Sequence, residues 1–427
     1  MTTNKSNRVL SGMRPTGRLH IGHYFGALQN WVKLQNDPAY DCFYFIADWH
    51  ALTSDYADTS AIAENSLQIT IDYLASGLDP TKSTIFLQSL VPEHAELHLL
   101  LSMVTPLGWL ERIPTYKEQI DNVANKDLHT YGFLGYPTLQ TADIVMYSDP
   151  GKTLSVPVGE DQVSHVEFSR ELVRKFNFHY GLQISPALFE EHEEPKQIPA
   201  LAVLAHIKGL IGLKVPPGAT AAAIAPLKPE IEKMIRDHAM ESGVDNFLES
   251  IGELRQFFTL LNILEEPGVL LTPTPRIPGL DGRKMSKSYG NAITLSESDG
   301  DIRSKTKVMV TDPARKRRTD PGNPDICPVY DWHKLFSPKE TLGWAAEGCR
   351  TAGIGCIECK SKMADHLITW IEPVRARRVE FEQNPGRVMD ILDAGSAQAQ
   401  KSAKQTMERV RTAIFNWPRK RADIASS

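Results

Sequence analysis

Short apolar runs alternate with longer amphipathic stretches through the first part of the chain. Arg8-Val9-Leu10 reads as a short strand, followed by a Gly/Pro-punctuated loop and a helix from Gly22 to Gln35. Cys42–Ala47 is a continuous apolar run of strand length, and Ser83–Leu87 is another, with a helical stretch between them. This order predicts an α/β fold with a parallel sheet and helices on both faces, because parallel strands need long crossover connections that helices supply. Ligands of such sheets bind beyond the carboxyl ends of the strands, so the loops after these strands are where chemistry is to be sought.

At 427 residues the chain is long enough for two or three domains, each with its own core. A 41% hydrophobic, 23% charged composition with net charge -5 is that of an ordinary soluble protein, and it neither requires nor excludes a nucleic-acid partner. The start, MTTNKSNRVL, has no apolar core and no cleavage pattern, so no signal peptide is expected. Ile198–Val215 is rich in Leu, Ile and Ala but carries His206, Lys208 and Lys214. It reads as an amphipathic or buried helix, not a membrane span. A cytoplasmic protein without membrane association is the expectation. From about Ala187 to Thr272 the texture changes: Glu190-Glu191-His192-Glu193-Glu194 leads into Pro-bounded helical stretches. After Ser296 the pattern is mainly helical and basic, as in Arg315-Lys316-Arg317-Arg318 and Arg375-Ala376-Arg377-Arg378. Each run reads as a solvated helix face or as an RNA-facing patch.

Two motifs carry phosphate chemistry. The segment Gly12-Met13-Arg14-Pro15-Thr16-Gly17-Arg18-Leu19-His20-Ile21-Gly22-His23 comes after the first strand and opens a helix. Glycine lets backbone approach a ligand closely, and a helix start presents free N–H groups to anions. His20 and His23, three residues apart, fall on one side of the first turn and can donate hydrogen bonds to phosphate oxygens. Much later comes Lys284-Met285-Ser286-Lys287-Ser288. Two lysines with small hydroxyl residues between them suit a mobile cationic loop for a triphosphate.

His20-Ile21-Gly22-His23 and Lys284–Ser288 match the two signatures of the class I aminoacyl-tRNA synthetases, and the chain resembles the tryptophanyl-tRNA synthetase family among them. The resemblance spans roughly residues 7–185 and 274–312. It implies a Rossmann-like catalytic domain over 1–186 and 273–296, a helical insertion over 187–272 and an α-helical anticodon-binding domain over 297–427. It also implies that ATP with Mg2+ is gripped by Arg14, Pro15, Thr16, Gly22, His23, Ile277 and Lys284, Met285, Ser286, Lys287, Ser288. Val156-Pro157-Val158-Gly159-Glu160-Asp161-Gln162 resembles the family's third ATP-side motif, adding Gly159, Glu160, Asp161 and Gln162. His20, His23, Lys284 and Lys287 would stabilise the charge that develops on phosphate.

Gly26-Ala27-Leu28-Gln29-Asn30-Trp31-Val32 and Tyr136-Pro137-Thr138-Leu139-Gln140-Thr141-Ala142-Asp143 carry the resemblance to the tryptophan enzymes. Indole offers one N–H donor and no acceptor, so a carboxylate is its apt partner. By resemblance Asp143 accepts that bond, with Gly12, His50, Tyr136 and Gln140 lining the same pocket. Some members have methionine where this chain has Gln140, and glutamine where it has Arg14. The tyrosine enzymes, which use a Gln and an Asp at such spacing, therefore remain an alternative, as does a non-catalytic RNA-binding paralogue. tRNA, ATP and tryptophan are the implied partners, and family members are homodimers.

Cys42 lies in a predicted strand and reads as a small buried hydrophobe. The other cysteines, Cys327, Cys349, Cys356 and Cys359, have 21, six and two residues between successive members. A pair two residues apart with two thiols nearby suits a tetrahedral sulfur site, for which zinc and iron–sulfur compete. Some tryptophanyl-tRNA synthetases carry a similar spacing that holds a 4Fe–4S cluster, and the resemblance tips the expectation towards iron.

Overall fold

The computed structural model describes residues 7–114, 116, 128–191, 198–207, 220–271 and 277–425, apart from the side chains of Asp161, Ser288 and Asp423. Its strands are β1 (Asn7–Met13), β2 (Tyr40–Ile46), β3 (Ser83–Leu87), β4 (Thr153–Val158), β5 (Leu182–Ile184), β6 (Phe258–Leu260) and β7 (Pro267–Leu271). Five of them form a parallel sheet in the order β3-β2-β1-β4-β7. Side chains alternate across it, as the two-residue period of a strand requires. Val9, Cys42, Tyr44, Ile46 and Ile85 face one apolar layer, while Leu10, Phe43, Phe45 and Phe86 face the other. Because both faces are covered, β2 reads as an unbroken apolar run in the sequence.

The first layer is completed by the helices Gln29–Gln35, Ile62–Ala75 and Cys356–Glu382, through residues such as Trp31, Ile69 and Leu367. The second is completed by Glu93–Ser102, Tyr136–Val145, Val163–Gly181 and Pro385–Phe415, through Leu97, Ile144, Phe176 and Met407. Of the two longest helices of the region 297–427, Pro385–Phe415 packs directly on β3, and Cys356–Glu382 packs on the helix Ile62–Ala75.

Pro267–Leu271 corrects the expectation of an all-helical 187–272 segment. It is β7, paired from Leu154↔Pro267 to Val158↔Leu271. Its opening Pro-Gly disguises it, yet proline at the first residue of an edge strand leaves no ladder bond unmade. The segment's other described residues are mainly helical, apart from β6, which pairs with β5 in a short antiparallel ribbon. Helices Pro199–His206, Lys228–Ser242 and Val244–Ser250 pack Val203, Ile231, Ile235 and Phe247 into a third apolar cluster. Of the apolar stretch 198–215, residues 208–215 lie outside the described residues. Among the described residues no helix is long and apolar enough to cross a membrane.

Candidate active site

The chain leaves β1 through Arg14, Pro15 and Thr16 and enters the helical turn Ile21–His23 with His20 as its N-cap. The cap is reciprocal. The His23 backbone N–H donates to Nδ1 of His20 at 3.3 Å, and the His20 N–H to Nδ1 of His23 at 3.2 Å, with the rings stacked 3.6 Å apart. Accepting at Nδ1 leaves the proton of each neutral ring on Nε2. Burial, with Lys287 adding to it, pushes His20 down to about 4. Burial, then His20 and Lys287, holds His23 well below its ordinary value. Both imidazoles are therefore neutral donors at physiological pH. A Cβ at Gly22 would lie 2.9 Å from Nδ1 of His20 and 3.4 Å from Sδ of Met285. Glycine here leaves room for the His20 ring and Met285. Beyond the turn the helix passes through a π-helical stretch, Tyr24–Leu28.

A cavity of about 560 Å³ opens between the carboxyl ends of β1 and β4, where the strand order reverses. Gly12, His50, Tyr136, Gln140 and Asp143 all line it, the whole set expected to meet the amino acid. Arg14, His23, Gly159 and Gln162 of the nucleotide set line it too. His20 and Ile277 are buried instead, Ile277 in the apolar layer together with Met285. Gly12 admits the Phe45 ring, whose Cε1 would lie 2.6 Å from an added Cβ. Glu160 is exposed on the short turn after β4.

Asp143 is 1% exposed, and its carboxylate is surrounded by donors. His50 Nε2 lies 2.7 Å from Oδ2, and His94 Nδ1 lies 2.6 Å from Oδ1. Gln88 donates from Nε2 to both oxygens, at 2.7 and 2.9 Å. Burial alone would raise this carboxyl. The charge and hydrogen bonds of His50 and His94 outweigh it and hold the group at about 2. Gln88 and His94 were not among the sequence candidates, although Gln88 comes immediately after β3, where the rule for parallel sheets points. Asp48, also at a strand end, accepts backbone N–H bonds from Trp49 and Ser89.

The second motif closes onto the first. Lys287 donates from Nζ to the carbonyl oxygens of Thr16 at 2.7 Å and Gly17 at 2.9 Å. Burial lowers its pKa, with Asp72 opposing. Asn291, buried and also unforeseen, shapes the loop by accepting from the Ser286 N–H at 2.7 Å and donating to the Lys284 carbonyl at 3.2 Å. Lys284 is exposed, and its backbone bridges to Pro278.

In the last third, Arg315 is buried and bonds the Ile354 carbonyl, whereas Lys316, Arg317 and Arg318 are exposed on a cleft of about 1120 Å³ that also includes Cys356 and Lys362. The run at Arg375 is not a free RNA-facing patch. Arg375 pairs with Asp299 and Glu372, Arg377 bonds the Ala75 carbonyl, and Arg378 is buried against Asp72. All five cysteines are free thiols. Burial, with Cys327, Cys349 and Cys356 adding to it, pushes Cys359 up to about 12. Among the described residues, however, no group of three or more His, Cys, Asp or Glu side chains is arranged to hold a metal ion.

The family described as tRNA synthetases class I (W and Y) matches residues 2–194 and 242–372. The tryptophan–tRNA ligase of Ralstonia nicotianae is 47% identical over 416 residues, covering 95% of this chain and 98% of that protein. That of Thermotoga maritima is 40% identical over 408 residues, with the same two coverages. The crystal structure of tryptophanyl-tRNA synthetase from Campylobacter jejuni, complexed with ADP and tryptophan, matches with a TM-score of 0.69 at 27% identity, covering 95% of this chain and 99% of that one. The chain belongs to the class I tRNA synthetases, in the group that serves tryptophan and tyrosine. Within that group its activity is that of a tryptophan–tRNA ligase, and the tyrosine and non-catalytic alternatives are not favoured.

Proposed function

We propose that the cavity at the switch point holds tryptophan with its indole toward Asp143, and that ATP lies against the His20–His23 turn and the Lys284–Ser288 loop. The observation that carries this is convergence: Gly12, His23, His50, Gln140, Asp143 and Gly159, far apart in sequence, line one cavity. In the reaction a carboxylate oxygen of tryptophan attacks the α-phosphorus of ATP, and the bond to pyrophosphate breaks. The 3′-terminal adenosine of tRNA then takes the tryptophanyl group and releases AMP. Such displacements depend on positioning and on stabilising developing charge. His20 and His23 supply neutral Nε2–H donors for this, and Lys284 and Lys287 supply charge. Mg2+ travels with the phosphates. Arg14, Pro15, Thr16, Gly159, Glu160, Asp161, Gln162, Ile277 and Ser288 complete the proposed nucleotide site.

Asp143 already accepts from three side chains, and of these His50 stands on the cavity wall. The indole N–H would share or take the place of the His50 bond. Asp143→Ala tests the assignment: tryptophan-dependent ATP–pyrophosphate exchange should fall by the equivalent of about 1–3 kcal/mol, with ATP binding nearly intact. Unchanged exchange would remove Asp143 as the reader of the side chain.

The region 297–427 is proposed to bind the anticodon, with Lys316, Arg317, Arg318 and Lys362 facing RNA across the larger cleft. Cys327, Cys349, Cys356 and Cys359 are proposed to hold a 4Fe–4S cluster, with zinc as the competitor. Their soft donor set supports this. Iron, sulfide and zinc analysis of anaerobically purified protein decides it. A homodimer is proposed from the family, supported by exposed Leu99, Met103 and Leu107, and light scattering measures it. A substrate set of tRNA, ATP and amino acid supports a cytoplasmic location.

A further inference from the structure

A carboxylate buried as deeply as Asp143 would take up a proton if it stood alone. Two of the side chains that hold it, Gln88 and His94, are fully buried and take no part in the cavity wall. Both are fixed from behind. Oε1 of Gln88 accepts the Trp49 backbone N–H at 3.1 Å, which turns the amide Nε2 toward Asp143. Nε2 of His94 lies 2.8 Å from the Tyr147 hydroxyl. Burial raises that phenol well above its ordinary value, so it keeps its proton: it donates to Nε2 of a neutral His94 ring and accepts from a protonated one. His94 must then present its Nδ1–H to Asp143. Each of the two groups can therefore only donate to the carboxylate.

We propose that Gln88 and His94 are specificity-positioning residues, which keep the buried Asp143 carboxylate ionised and aimed so that it can accept the indole N–H of tryptophan. The proposal rests on Asp143 being the reader of the side chain. A carboxyl group that lost one of these donors would hold its charge less firmly and be aimed less well, so its bond from the indole N–H would weaken. The other titratable groups around it are His50 on the cavity wall, His98, which burial holds neutral, and Tyr147 with Glu93 beside it. Asp48 lies beyond Gln88, bonded to backbone amides.

The test compares kcat/KM in pyrophosphate exchange for tryptophan and for benzothienylalanine, an isostere with sulfur in place of the indole N–H. The variants are His94→Leu, Gln88→Leu, His94→Asn and Asp143→Asn, each checked for folding by circular dichroism. His94→Leu and Gln88→Leu should each cut the preference for tryptophan over the isostere about tenfold, mostly through KM for tryptophan. His94→Asn places an amide N–H where Nδ1 stood and should restore most of the preference. If the two leucine variants lose both substrates equally, their role is structural and the proposal is overturned. It is also overturned if Asp143→Asn collapses the preference while the leucine variants keep it. If Asp143→Asn itself leaves the preference intact, the reading of Asp143 fails first. Should His94→Leu not fold, Gln88→Leu and His94→Asn separate the same outcomes.

Discussion

His20 and His23 cap each other's turn, and that local role sets their chemistry. The sequence pattern pointed to two imidazoles on one side of a helix start, but not to their being neutral, because neutrality comes from burial beside Lys287. The same burial makes a stability prediction. The His20 pKa is about 4 in the folded protein and near its ordinary 6.5 when unfolded. The unfolded chain therefore binds the proton first as pH falls. The contribution is fully present above about 6.5 and is lost as pH drops toward 4. His20→Asn keeps an acceptor near the Nδ1 position without titrating, so the fall in urea midpoint between pH 7 and about 5 should be smaller than in wild type. At Lys287 the effect is on rate: Lys287→Ala should slow single-turnover adenylate formation more than it weakens tryptophan binding, because its charge matters most as phosphate charge develops. Equal losses in both would count against it. Gln88 and His94 escaped the sequence reading because a buried polar residue looks like any other until its partner, 55 or 49 positions away, is known.

Among the elements, those with an undisturbed hydrophobic period were legible in the sequence. β2 and β3 stand out as apolar runs, whereas β4 and β7 carry prolines that mask them. Pro157 stands beyond the last β1 partner of β4, at Ser155, and Pro267 opens an edge strand, so neither removes a needed ladder bond. The docking of the helix Pro385–Phe415 on β3 could not be foreseen, since it depends on contacts such as that between Leu87 and Ser396, 309 positions apart. Its mark is Gly395, in the middle of a 31-residue helix where glycine costs about 1 kcal/mol relative to alanine. A Cβ there would run into the Ile85 carbonyl oxygen of β3, so the glycine is what lets the helix lie so close. Gly395→Val should accordingly destabilise the fold by about 1–3 kcal/mol despite improving helix-interior chemistry, read as a lower urea midpoint. A midpoint at or above wild type would show that the helix can move away freely.

Across the whole molecule, the basic run near Arg375 shows how a charge pattern can mislead. Read as a helix face for RNA, it instead ties the C-terminal helices to the first motif. Arg378 is buried against Asp72, and Asp72 in turn accepts the Leu19 backbone N–H at 2.6 Å, one residue before His20. Burial raises the Asp72 carboxyl to about 6, opposed by Arg378, so the pair is ionised at neutral pH. The helix Cys356–Glu382, in the region proposed to bind the anticodon, is thereby joined through one carboxylate to the loop proposed to hold ATP. Removing one partner of a buried pair leaves a charge without compensation, a loss of about 3–5 kcal/mol, whereas replacing both with apolar groups can be nearly neutral. Arg378→Met should therefore lower the urea midpoint sharply, and adding Asp72→Leu should restore part of it. Function should separate from stability in the double variant. With Asp72 gone, the Leu19 N–H loses its acceptor, so KM for ATP in pyrophosphate exchange should stay raised even where stability recovers. If the double variant regained both stability and wild-type KM for ATP, the pair would hold the two helices together and nothing more.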